Sequence, residues 1–179
     1  MKIKEGLKKY QDLNKLFMKE LLKNTDLTEC LSDDTIEELS YGMKPLYVEN
    51  GSFLFKEGDY VSRIYFVVSG HLSITLRLDG LEAEVEDLYW GCSLGLYCAM
   101  LGEPHTMNAQ AKTPLNVYYI EVDYIKALAP YIIEVQKCFE RIHAEVKKSD
   151  FPLLDFRVFR LKRKLHPKQQ FKTCVNACV

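Results

Sequence analysis

The stretch GSFLFKEGDYVSRIYFVVSGHLSI, residues 51–74, decides how this chain is read. Glycines stand at 51, 58 and 70, and apolar and aromatic side chains alternate or cluster between them. Apolar runs of this length with a period of two, bounded by turn residues, are the signature of short β-strands. The reason for the glycines is local. A strand corner needs positive φ or close backbone approach, and glycine meets both needs. Gly51, Gly58 and Gly70 are therefore read as scaffold rather than ligand chemistry.

Working outward, the same period continues. Strands are expected at 46–48, 53–55, 64–68, 72–76, 83–88, 107–111 and 117–121, and Asp79-Gly80 is a hairpin signal. About eight short strands at this turn spacing predict an antiparallel jelly-roll barrel. A glycine-bounded insert, 91–102, interrupts them. On either side the period changes to that of a helix. Ile3, Leu7, Tyr10, Leu13, Phe17 and Leu21 form one stripe, and a second helix is expected over 34–43, with Asp34 and Glu37 spaced as a capping box. After Asp123 the helical period returns: Pro130 suits a first turn, and Ile132, Val135, Phe139, Ile142 and Val146 share a face. Phe151, Leu154, Val158, Leu161 and Leu165 repeat that spacing, although 154–158 also alternates as a strand does. The expected fold is mixed α+β, an antiparallel eight-stranded β jelly-roll barrel flanked by N-terminal and C-terminal helices. Its expected divisions are a helical linker (1–26), the barrel with its lid helices (27–149) and a basic helix and tail (150–179).

Composition narrows the function. A chain of 179 residues, 47% apolar, supports one sizeable core. The net charge of −1 gives no global attraction to nucleic acid. Residues 151–179 carry seven Lys/Arg against Asp155, a basic end on an acidic body. The 29 residues after Asp150 offer no recognition helix, so no nucleic-acid partner is expected. Six cysteines follow no disulfide framework, and Cys174 and Cys178 lack partners for a closed zinc site. No apolar run approaches the roughly 20 residues needed to span a bilayer. A cytoplasmic chain with reduced thiols and no transmembrane segment is expected. The four histidines, His71, His105, His143 and His166, are scattered, and no nucleophile–base pair is visible. Neither an enzyme nor a metal site is expected.

The order of elements resembles the cyclic-nucleotide-binding domain over about 27–148. Gly51-x-x-Leu54-Phe55-x-x-Gly58-Asp59, followed by Ile64-Tyr65-Phe66-Val67-x-x-Gly70-x-Leu72, is similar to the family signature in residue type and spacing. The resemblance makes the insert a phosphate-binding cassette. It implies a short helix whose N-terminal N–H groups face the cyclic phosphate, an arginine on that phosphate, and a glutamate on the ribose 2′-hydroxyl. Here the cassette reads LGLYCAMLGEPHT, 94–106. Gly95 and Thr106 are retained, and Cys98 falls where small residues sit. Leu96 occupies the glutamate position and His105 the arginine position. An imidazole lacks the guanidinium fork and is mostly neutral near pH 7. Losing a hydrogen bond to a charged group removes roughly 1.5–3 kcal/mol. The expectation is cAMP or cGMP binding that is weak or absent, with no other cofactor, unless Arg77 or a charged His105 compensates. Trp90 and Tyr97, at the cassette mouth and on its helix, are open to purine stacking or to packing.

Two further readings follow from the resemblance. The stretch LNKLFMKELLKNTDLTECLSDDTIEEL looks like the linker that joins a channel pore to such a domain. The implied function is the cytosolic gating domain of a cation or potassium channel, at the cytosolic face of a membrane, self-associating through the N-terminal helices. The alternative is a cAMP/cGMP-responsive regulatory subunit or sensor of kinase-regulatory type. Some channel relatives of the ether-à-go-go type fill a degenerate pocket with their own downstream segment. Residues 151–159, with Phe156 and Val158, are the counterpart here, either as such a plug or as an ordinary amphipathic helix.

Overall fold

The computed structural model describes residues 2–23, 31–78, 81–130 and 132–147. Two helices, α1 (Lys2–Lys23) and α2 (Asp33–Tyr41), precede the strands β1 (Met43–Val48), β2 (Phe53–Phe55), β3 (Arg63–Ser69), β4 (Leu72–Leu78), β5 (Leu81–Leu88) and β6 (Ser93–Leu94). A short helix, α3 (Leu96–Leu101), leads to β7 (Asn108–Ala111) and β8 (Leu115–Glu121). The helices α4 (Val122–Leu128) and α5 (Ile133–Lys147) follow. Two four-stranded antiparallel sheets, β1-β8-β3-β6 and β2-β7-β4-β5, face each other as the expected jelly roll. The eighth strand is β6, hidden in the sequence inside the glycine-bounded insert.

β3 shows why the run IYFVV is apolar at every position. Tyr65 and Val67 join the barrel interior with Phe55, Leu72, Ile74, Leu94, Met107 and Leu115. Ile64 and Phe66 point the other way, into a second cluster with Leu39, Leu96, Val122 and Val135. A strand covered on both faces carries no polar alternation. Each such side chain contributes about 1.5–3 kcal/mol by leaving water. Gly70, at the end of this strand, has φ +101, and a Cβ there would lie 2.5 Å from the Pro114 carbonyl oxygen and 2.9 Å from the Leu115 Cα. Gly51 also has positive φ, +80, but open space around it.

The helical layer departs from the sequence reading in three ways. Helix α2 starts one residue earlier than expected and is capped by Ser32, whose hydroxyl accepts from Thr35 N; the Asp34–Glu37 capping box does not form. Glu37 is instead claimed by Lys15 and Lys19 of α1 and by Tyr41. Helix α2 stops at Tyr41, with Gly42 as its C-cap, and Met43 pairs with Ile120 of β8; Gly42 lies under the Tyr124 ring, where an added Cβ would meet that ring at 2.3 Å. Met43, expected on α2, therefore opens β1 while still packing in the same cluster. Finally, α1 is rotated so that Leu21 and Leu22 are buried while Leu13 is 57% exposed. Tyr118 fixes this rotation: its hydroxyl donates to Asn14 Oδ1 at 2.9 Å, and its ring lies 6.2 Å from that of Phe17. The side chains of Ile3, Leu7, Tyr10, Phe139, Ile142, His143 and Val146, and all of 151–179, lie outside the described residues.

Two outcomes test this account. Gly70→Ala combines the left-handed penalty of about 1–2 kcal/mol with a backbone clash, whereas Gly51→Ala carries the left-handed penalty alone. Urea unfolding should show at least twice the loss for Gly70→Ala; equal losses would contradict the steric argument. The bonds from Lys15 and Lys19 hold the Glu37 carboxyl down at about 2. A lowered carboxyl contributes stability above its unfolded value, and that contribution is lost as pH falls through the lowered one. Protection of the α1 amides should therefore begin to fall as pH drops below about 4.5 and go on falling to about 2, and Glu37→Gln should remove that step.

Candidate functional site

The cassette is built from β6, α3 and the loop to β7. β6 is held by β3, with Tyr65 opposite Leu94 and Phe66 opposite Ser93. Gly95 then turns the chain with φ +83 and serves as N-cap of α3, its carbonyl accepting from Ala99 N at 2.9 Å. A Cβ at Gly95 would come within 3.1 Å of the Arg63 carbonyl oxygen and 3.2 Å of His105 Cε1, so only glycine lets the three segments close. Helix α3 ends at Gly102, also left-handed, whose N–H bonds Cys98 O.

His105 is brought to Gly95 by a second strap. Gly58 N donates to His105 O at 2.8 Å, and His105 N donates to Asp59 O at 2.9 Å. The scaffold turn at Gly58 and the cassette loop are thus zipped together. The His105 ring is 3.6 Å from the Phe55 ring, with an interplanar angle of 6°, and His105 is only 3% exposed. It forms part of the barrel wall, stacked face to face on β2 with Gly95 at its edge.

The other cassette residues are also taken up by packing. Leu96, Tyr97 and Cys98 are buried in the helix-side cluster with Ile64, Phe66 and Val135. At the position where the resemblance calls for a carboxylate on a ribose, Leu96 is 1% exposed in an apolar core. Tyr97 is a core residue rather than a stacking platform. Trp90, at 51% exposed, sits on the rim. Thr106 is half-buried, and Arg77 is exposed. The plug residues Phe156 and Val158 lie outside the described residues. His71 faces Asp87 on β5, Nε2 to Oδ1 2.8 Å, and stacks on Tyr89. Among the described residues no group of three His, Cys, Asp or Glu is placed to hold a metal ion. No helix among them is long and apolar enough to cross a membrane.

Sequence reasoning missed two participants. Phe55, the stacking partner, lies in the quoted signature, and strand alternation could have pointed it inward. Arg63 was not singled out. Its carbonyl touches the cassette, but its guanidinium lies 4.3 Å from the Tyr119 ring centroid, a cation–π contact. Burial pushes the Tyr65 phenol up, and the neighbouring Arg63 guanidinium offsets part of that rise. The site is therefore an apolar and aromatic wall, with the Arg63 guanidinium held on the Tyr119 face.

The His105 ring is a structural member on this account. His105→Ala removes a buried ring and its stack, and chemical denaturation should show a loss of about 2–4 kcal/mol. A loss under about 1 kcal/mol would mean that the ring is not packed as described.

Comparison with known proteins agrees with this fold. The family model described as cyclic nucleotide-binding domain matches residues 45–130. The transcriptional activator protein Anr of Pseudomonas protegens is 26% identical over 117 residues, which are 65% of this chain and 47% of Anr. The chain thus spans about half the length of that curated relative. Among solved structures, the regulatory domain of Toxoplasma gondii PKA with cAMP superposes with a TM-score of 0.63 at 14% identity, covering 77% of this chain and 51% of that one. The regulatory subunit of a cAMP-independent protein kinase A from Trypanosoma brucei gives a TM-score of 0.55 at 17% identity, covering 71% and 49%. At such identities these likenesses show the fold alone. Jelly roll, glycine corners, cassette and family match together assign residues 45–130 of this chain to the cyclic nucleotide-binding domain family.

Proposed function

We propose that this domain is a cytoplasmic regulatory module, not an enzyme, that keeps the cyclic-nucleotide-binding scaffold but does not use a cyclic nucleotide as its ligand. The observation that carries this reading is the His105–Phe55 stack. The group standing at the phosphate-arginine position is buried in the wall and occupied by an aromatic face. Leu96, at the ribose-glutamate position, is core. Restoring the family's contacts would bury a carboxylate at Leu96, and an unpaired buried charge is strongly unfavourable. The residues present do not fit a cyclic phosphate or a ribose.

Regulation then passes through the helices packed on the barrel. The non-channel reading is preferred: the relatives named above are a transcriptional activator and kinase regulatory chains, and they lend the channel reading no support. The Trypanosoma protein, described as cAMP-independent, is a precedent for this fold in a regulator of that kind.

Calorimetric titration with cAMP and with cGMP tests the proposal. No saturable heat is expected up to about 1 mM ligand, and the midpoint of thermal unfolding should not move with nucleotide. A dissociation constant in the micromolar range for either nucleotide would overturn it.

A further inference from the structure

Two helix starts that are about a hundred residues apart converge on one carboxylate oxygen. Glu134, in the first turn of α5, accepts at Oε2 from Ser32 N at 2.9 Å, Ser32 Oγ at 2.8 Å and Thr35 Oγ1 at 2.7 Å. Ser32 is the N-cap of α2 and Thr35 stands in its first turn. One negative charge thus meets the positive dipole ends of both α2 and α5. A second tie joins α1 to the same node: Lys23 Nζ lies 2.9 Å from Asp33 Oδ1. Beneath the node, Leu21, Leu22, Ile36, Leu39, Val135 and Cys138 are buried in one cluster. Helix α5 also packs on α3, the cassette helix whose N-cap Gly95 touches His105.

We infer that Glu134 is a latch that couples α1 and α2, through α5, to the cassette helix. With the carboxylate on the α2 cap, α5 stays seated on α3. With it withdrawn, α5 lifts and the cassette loosens without any ligand in the barrel. The donors from Ser32 and Thr35 hold the Glu134 carboxyl below the usual carboxylate range, so the latch stays charged at neutral pH. Displacing α2, rather than a change in pH, is what opens it. This inference rests on the reading that the helices carry the regulation, but its test uses no nucleotide.

The experiment is hydrogen–deuterium exchange of the full chain and of its Glu134→Ala, Glu134→Gln, Thr35→Val and Thr35→Val/Glu134→Ala variants. Glu134→Ala should speed exchange about tenfold in the first turn of α5 and also in α3, as expected when charge-assisted hydrogen bonds are lost. Glu134→Gln keeps the shape and an acceptor, and should fall between wild type and Glu134→Ala. In α5 and α3 the double variant should exchange no faster than Glu134→Ala, because Thr35→Val removes only a bond to α5 that Glu134→Ala already removes; the Thr35–Ser32 hydroxyl bond that it also breaks lies within α2 and is read only there. Faster exchange confined to the first turn of α2 would make Glu134 a local cap and overturn the inference. Additive effects of the two changes in α5 and α3 would overturn it as well. Should Glu134→Ala fail to fold, Glu134→Gln with and without Thr35→Val is read in the same way. Nucleotide binding in calorimetry would refute the proposed function and leave this exchange pattern standing, so the two failures are separable.

Discussion

The face-to-face stack of His105 on Phe55 is the contact on which this site depends. It joins β2 to the cassette loop at 3.6 Å, inside two backbone hydrogen bonds that tie the same loop to the Gly58 turn. An aromatic pair of this kind adds about 0.5–1.5 kcal/mol beyond the area it buries. Its larger consequence is geometric. A ring held between Phe55 and the Gly95 backbone cannot also reach into the barrel as a long flexible guanidinium would. Gly95 makes the closure feasible, since any Cβ there would press on both His105 and the Arg63 carbonyl.

From that contact outward, the cassette side chains are taken up in packing. Leu96, Tyr97 and Cys98 join α3 to the core that also holds α1, α2, α4 and α5. The cassette becomes a joint between barrel and helices. A buried, close-packed joint transmits displacement because its side chains have no free volume into which to relax. Helix α5 packs on that joint through α3 and on the cap of α2 through Glu134. The flanking helices are thereby linked to the cassette through side chains of this chain.

Much of the barrel was legible in the sequence because its signal is local. Glycine corners and period-two alternation placed seven of the strands to within three residues at either end, and the double-sided burial of β3 is written in the run IYFVV. Leu96 and His105 could be placed in the insert from its spacing, but their burial could not. What was hidden depends on contacts between distant residues. The Ser32 cap of α2 was obscured because the expected partner, Glu37, is taken by Lys15 and Lys19. β6 is two residues long and owes its existence to β3. The helical period expected after Asp123 is met by α4, but Pro130, expected in a helix first turn, lies in the turn between α4 and α5, because the seven-residue α4 ends at Leu128 and α5 starts only at Ile133. Phe55 and His105 are fifty residues apart, and no periodicity links them. Leu13 sits on the apolar stripe of α1, yet Tyr118 and Glu37 set the helix rotation that leaves it exposed.

The central claim is that the His105 ring belongs to the wall of the barrel and not to a ligand. The most direct measurement is nuclear magnetic resonance of the His105 imidazole in the full chain, with and without saturating cAMP. A ring stacked on Phe55 has its carbon-bound protons displaced upfield by the ring current. The account predicts that this displacement is present in the free protein and unchanged by the nucleotide. Loss of the displacement in step with nucleotide concentration would contradict it.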